Sequence, residues 1–151
     1  MELSDEIHID APVDVVYAAL NDPEILRASI PGCEELIKHS DTELEAKVLL
    51  KVGPVKARFA GTVTLDPEDP PRAFSLSGQG TGGAAGFAKG GAHVTLEPHP
   101  EGGTILRYQA RADVGGKIAQ LGSRLIQGSA SKLAAKFFAN FSEAVQPATE
   151  G

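Results

Sequence analysis

The sequence predicts an α+β helix-grip fold: a curved antiparallel sheet of about seven strands gripping one long C-terminal helix, with two short helices after the first strand. Three observations carry this. Between Glu34 and Val114 apolar residues recur with period two, in runs joined by turns rich in glycine and proline. After Gly115-Gly116 the period switches to three and four and holds for about 28 residues without proline. The turns are too short for crossover helices, so consecutive strands form a meander. The long amphipathic segment is then the one element able to cover its apolar face.

"ELSDEIHID" alternates, with Leu3, Ile7 and Ile9 on one face, and reads as the first strand. "APVDVVYAALND" follows, with Pro12 suited to a first helical turn and Val15, Val16, Ala19 and Leu20 forming a helical face. Asp22 caps a second short helix, "PEILRASI", and "PGCEEL" ends it. "ELIKHS" is a short strand. "TELEAKVLLKV" sets Leu44, Ala46, Val48, Leu50 and Val52 on one face, and Gly53-Pro54 turns the chain into "VKARFAGTVTLDP". "DPEDPPR" is the next turn, followed by the strands "AFSLSGQGTG", "AHVTLEPH" and, after "PEGG", "TILRYQARADV". The last segment, "KIAQLGSRLIQGSASKLAAKFFANFSEAV", aligns Ile118, Leu121, Leu125, Ser129, Leu133, Phe137 and Phe141 on one side of a helix. At about 1.5 Å per residue it is about 42 Å long. One domain is expected over residues 1–145, with a flexible tail at 146–151.

A single helix about 10 Å wide cannot fill the concavity of a strongly curved sheet. The facing positions are small: Gly61, Gly78, Gly80, Ala110 and Ala112 on the sheet, and Gly122, Gly128, Ser129 and Ala130 on the helix. Small residues also permit close helix–sheet approach. With no tryptophan and only 5% aromatics, a cavity is the preferred reading.

The 151 residues carry a net charge of −6, which argues against nucleic-acid binding through phosphate contacts. Cys33 is the only cysteine, so there is no disulfide and no thiolate metal cluster, and His8, His39, His93 and His99 lack metal-ligand spacing. No metal site is expected. No signal peptide or membrane-spanning run is visible, and a cytoplasmic protein is expected.

The stretch "GGAAGFAKGGAH", Gly82 to His93, raises the question of a phosphate loop. A P-loop needs Gly-Lys-Ser/Thr, and here Ala88-Lys89-Gly90 stands in its place. "GTGGAA" fits a dinucleotide fingerprint, but no helix follows to face a pyrophosphate. The glycines read instead as a bend between two strands of a curved sheet, with Phe87 pointing inward and Lys89 facing water. Ser123, Ser129 and Ser131 have no histidine partner, Cys33 shows no base, and Glu43 and Glu45 share a solvent face. No catalytic residues are expected.

"ALNDPEILRASIPGCEEL", "KVGPVKARFAGTVTL", "GGAAGFAKGGAHVTL" and "VGGKIAQLGSRLI", in this order, resemble the CoxG-like family of carbon monoxide dehydrogenase accessory proteins, within the START/SRPBCC superfamily. The resemblance runs from Met1 to Ala144. It implies a helix-grip fold with a hydrophobic cavity, and an accessory protein of a molybdenum-containing CO dehydrogenase or related hydroxylase. It also implies membrane association of the dehydrogenase at the inner face of the plasma membrane. Some members carry a C-terminal membrane-seeking helix that this sequence does not show.

The expected function is a non-enzymatic carrier of an apolar ligand, a quinone or isoprenoid lipid, with no covalent cofactor. The cavity is expected to be lined by Leu26, Ile30, Phe59, Val63, Phe74, Leu76, Phe87, Tyr108, Leu121 and Leu125, with its entrance between residues 21–33 and the long helix. The Tyr108 hydroxyl is the candidate partner for a ligand carbonyl. Burying about ten methylenes would contribute on the order of 8 kcal/mol before ordering costs. The alternatives are a docking protein that binds the dehydrogenase through Lys89, Arg107, Arg111 and Lys117, and an enzyme of the superfamily's cyclase or hydrolase kind. The first has an ordinary solvated strand face as its rival, and the second needs convergent polar groups inside the cavity.

Overall fold

The structure, a computed structural model, describes residues 1–145; the expected tail at 146–151 lies outside them. Strand β1 (Glu2–Ile9) leads into helices α1 (Val13–Leu20) and α2 (Pro23–Ser29). Strands β2 (Cys33–Lys38), β3 (Glu43–Val52), β4 (Val55–Asp69), β5 (Ala73–Thr81), β6 (Phe87–Pro98) and β7 (Thr104–Gly115) follow, and helix α3 (Ser123–Val145) closes the described chain. All seven strands form one antiparallel sheet in the order β1-β7-β6-β5-β4-β3-β2. The meander is thus unbroken from β2 to β7, and β1 returns to pair with the last strand. The expected fold class holds.

Local chemistry sets the elements where the sequence places them. The Asp22 carboxylate accepts from the Glu24 amide at 2.9 Å and Pro23 occupies the first turn of α2. Four boundaries differ from expectation. β4 continues to Asp69, so the turn before β5 shrinks to Pro70–Arg72. β2 begins at Cys33, directly after Gly32, which places the thiol in the sheet and not at a helix end. β6 begins at Phe87, so the glycine-rich stretch is divided: Gly82–Gly86 makes the bend, around a 3-10 turn at Gly83–Ala85, and Gly90-Gly91 lie inside the strand.

The fourth difference concerns the long helix. Residues Gly116–Leu121 form a 3-10 turn, and the α-helix starts only at Ser123. Gly122, at φ 94°, makes the break: it adopts a left-handed backbone that other residues resist. Gly116, at φ 78°, packs so closely on Gly86 that a Cβ there would lie 2.6 Å from its Cα. The 23 residues of α3 extend about 34 Å at about 1.5 Å per residue, shorter than the sequence suggested.

The buried core is split in two. One cluster joins Ile9, Ala11, Val16, Ala19, Phe74, Val94, Leu96, Leu106, Phe141 and Val145, where α1 and the C-terminal half of α3 meet the sheet. The other joins Val52, Phe59, Ala85 and Ile118 at the opposite end of the strands. Between them runs the middle of the concave face.

Candidate ligand-binding groove

Strand register turns the sequence into a map of that face. Side chains directly opposite one another form rows across the sheet. Near the first cluster the rows are large: Leu96, Leu106 and Ile7, then Phe74, Val94 and Tyr108. The next three rows shrink. Leu65, Leu76, Ala92, Ala110 and Leu3 form one, Leu44, Val63, Gly78, Gly90 and Ala112 the second, and Ala46, Gly61, Gly80, Ala88 and Val114 the third, so the small residues lie at the centre of the sheet with larger ones towards its edges. Beyond them the face is closed again by Phe59, whose ring covers Gly82. Rows two residues apart are about 7 Å apart, so the band of small residues runs about 14 to 20 Å along the strands.

These residues are half-buried, not sealed, and so are Val63, Leu65, Leu76 and Tyr108 on the same face. Helix α3 packs over this face. Its closest backbone approaches are to α2 and to β1 and β3, which lie towards opposite sides of the sheet. Ser129, Ala130, Leu133 and Ala134 in the middle of the helix are half-buried, whereas Phe137, Phe138 and Phe141 pack with the first cluster. The concave face thus carries a band of small residues at its centre, with aromatics at one end and Phe59, Ile118 and Leu121 at the other.

Few polar groups enter. Tyr108 stacks on Phe138 with ring centroids 5.3 Å apart, and burial, followed by the Asp5 charge, raises its phenol above the usual range. Thr104 is tied to the Ala11 carbonyl at 2.7 Å. Asp5, opposite Tyr108, and Lys38, which donates to the Asn21 carbonyl at 3.1 Å, share the concave register at opposite edges of the sheet. Both escaped the sequence reading. An interruption of the alternation Leu3–Asp5–Ile7 was the available signal, and an inward charge is a common way to blunt an edge strand. Among the described residues no group of acids, histidines or cysteines has metal-binding geometry.

Of the ten residues expected to line a cavity, Phe59 and Phe74 are buried in the two clusters. Val63, Leu76, Tyr108 and Leu121 are half-buried on the inner side, and Leu26 and Ile30 are half-buried on or just after α2. Phe87 and Leu125 stand apart: Phe87 is 51% exposed, its ring laid over Gly115, and Leu125 is 39% exposed, leaning on Gly53. Phe87 therefore does not point inward. Parity explains it, since Ala88 and Gly90 take the inner face of β6. Leu125 misses because the break at Gly122 resets the helical phase, and Ile126 packs against the second cluster instead. The expected entrance between residues 21–33 and α3 is closed at Ser29, whose carbonyl accepts from Asn140 at 3.1 Å. Ala88, Gly90, Ala92 and the Phe137–Phe138 pair were not foreseen as lining residues; the strand alternation through Gly90 held the signal.

The four candidate docking cations do not form one site. Lys89 and Arg111 border an outer-face groove of about 1020 Å³ that no helix residue lines, and they stand opposite Asp113 and Glu2. Arg107 lies on a neighbouring groove of about 410 Å³ and is engaged by both Glu6, at 2.9 Å, and Glu97. Lys117 sits apart, on the 3-10 turn before α3.

A meander gripping a helix over an apolar groove defines a START-like fold. A solved START superfamily protein from Mycobacterium smegmatis shares it, with a TM-score of 0.72 at 11% identity over 95% of this chain and 96% of that one. A conserved protein from Geobacillus kaustophilus is more similar, with a TM-score of 0.89 and 28% identity, covering 96% and 95% of the two chains. One half of the di-domain ARO/CYC BexL also matches, with a TM-score of 0.67, 12% identity and 97% of this chain against 50% of that one. No curated protein matches the chain. The pattern of the carbon monoxide dehydrogenase CoxG family matches residues 6–146, and the chain belongs to that family.

Proposed function

We propose that the protein is a non-enzymatic accessory of a molybdenum CO dehydrogenase-type system that carries an elongated apolar ligand, a quinone or isoprenoid lipid, in the groove beneath α3. The observation that carries this is the band of small residues on the concave face, open between two separately packed cores. A sealed interior would place larger residues than Ala88, Ala92 and Ala110 there, because interiors pack to crystal density, whereas Gly61, Gly78 and Gly90 are small because a Cβ would meet the backbone of the neighbouring strand. The Tyr108 hydroxyl is the group for a ligand carbonyl, at the aromatic end of the groove. Family membership supports the dehydrogenase as partner, which the protein would help couple to the membrane. The enzymatic alternative wants several convergent polar groups. The concave face offers Tyr108 with Asp5 beside it and Lys38 across the sheet.

Solvent extraction of the purified protein followed by mass spectrometry tests the reading. A quinone or isoprenoid lipid recovered near one per chain supports it. A protein that yields no lipid and takes up none when ubiquinone or menaquinone is supplied sinks it.

A further inference from the structure

Strand β1 breaks the apolar alternation of its inner face once. Leu3 and Ile7 are half-buried there, and between them stands Asp5. Asp5 is directly opposite Tyr108 on β7, so the two side chains start about 4.5–5.5 Å apart on the concave face. The Tyr108 ring is held by stacking on Phe138. Asp5 is held too, because its Oδ1 accepts the Glu6 amide at 2.8 Å. That bond covers an amide of the edge strand, and it uses only one of the two carboxylate oxygens.

Two hydrogen-bonding groups are left over. Among the described residues the Tyr108 hydroxyl has no hydrogen-bond partner, and the second Asp5 oxygen has neither a hydrogen bond nor an ion pair. They lie at the aromatic end of the band, at the β1 rim, beside the Phe137–Phe138 pair. Burial, followed by the Asp5 charge, raises the phenol, which keeps it a donor. The pair therefore offers one donor and one acceptor side by side. A ligand hydroxyl can answer both, accepting from Tyr108 and donating to Asp5. A carbonyl oxygen can answer only the first, and it sets its own partial negative charge against the carboxylate.

We propose that Asp5 makes the site selective for a reduced head group, so that the protein carries a quinol in preference to the quinone. The proposal rests on the carrier reading and names its cargo. An acceptor left without a donor costs more than a good hydrogen bond gains, so a site built for a hydroxyl discriminates against its absence. Asp5 is exposed, so water moderates the effect. The head group stays at the β1 rim, while the tail runs over Leu76, Ala92 and Ala110 into the small rows. In the carrier reading this gives the transfer a direction. A dehydrogenase that delivers two electrons to a quinone, with two protons, produces the quinol, and the quinol is the form that Asp5 and Tyr108 retain.

Equilibrium dialysis of the ligand-stripped full chain tests it with short-chain menaquinone, menaquinol kept reduced without oxygen, and the dimethyl ether of menaquinol, which keeps the shape of the quinol and has no donor. The wild type should bind menaquinol about tenfold tighter than the other two, the worth of a hydrogen bond to a charged acceptor at a wet site. D5N keeps an oxygen for the Glu6 amide and loses the charge. It should hold the wild-type melting temperature and menaquinone affinity, while its preference for menaquinol falls to about twofold or less. Equal binding of menaquinol and menaquinone by the wild type, a dimethyl ether bound as well as menaquinol, or a preference that survives in D5N overturns the proposal. A plain isoprenoid hydrocarbon separates the two claims. Uptake of menaquinone and the hydrocarbon without preference for menaquinol refutes the selectivity alone. No uptake of any probe refutes the carrier and the selectivity with it.

Discussion

Ala92 and Ala110 face each other across β6 and β7 in the first of the small rows, both half-buried beneath α3. Replacing both with leucine adds three carbons at each position. If the band is open, the new side chains enter existing space. Full burial would stabilise by up to about 2.4 kcal/mol per leucine at about 0.8 kcal/mol per methylene. The positions are only half-buried, and ordering each leucine costs about 0.5–1 kcal/mol. The expected net effect is between zero and about 1 kcal/mol in favour of the variant at each site. A chain of this size shifts by about 2–4 °C per kcal/mol. Ligand-stripped A92L/A110L should therefore melt at or up to about 8 °C above the wild type, while its uptake of quinone or lipid falls at least tenfold. Were the alanines there to let the helix pack tightly, overpacking would cost about 1–3 kcal/mol per site. A melting temperature lowered by about 5 °C or more would refute the groove.

Further outcomes follow from single residues. Y108F should weaken binding of a carbonyl-bearing quinone about three- to tenfold, the worth of one hydrogen bond, and leave binding of a plain isoprenoid hydrocarbon unchanged. G122A should destabilise by about 1–2 kcal/mol through its positive φ, whereas G128A, with open space around its Cβ in α3, should stabilise by about 0.5–1 kcal/mol; thermal unfolding compares them. Burial raises the Cys33 thiol above its ordinary value, with a hydrogen bond to the Glu35 backbone and the Arg27 charge opposing. Alkylation should therefore set in at higher pH than for a free thiol. The unfolded chain ionises this thiol first, so the site's contribution to stability is intact below the unfolded pKa and is lost as pH rises from there through the folded one; alkylation rates of native and urea-unfolded protein, measured against pH, check the order.

How much was legible follows from period and parity. Strand alternation placed Leu44, Phe74, Val94 and Leu106 correctly, because a half-buried sheet fixes which face each residue takes. Phe87 was misplaced because glycines on both sides hide the alternation, and the strand's start could not be seen until Gly86 ended the bend. Leu125 was misplaced because a period of three and four reads straight through Gly122, where the backbone in fact resets. The small residues of the concave face were visible in the sequence. That they align into three rows depended on register, which local spacing does not contain. The pairing of Arg107 with Glu6 and Glu97 likewise joins residues distant in the chain.

Native mass spectrometry of wild type and A92L/A110L, each stripped and then offered menaquinone, tests the central claim most directly. The account predicts one quinone per wild-type chain and none on the filled variant. Equal occupancy of both, or none on either, would contradict it.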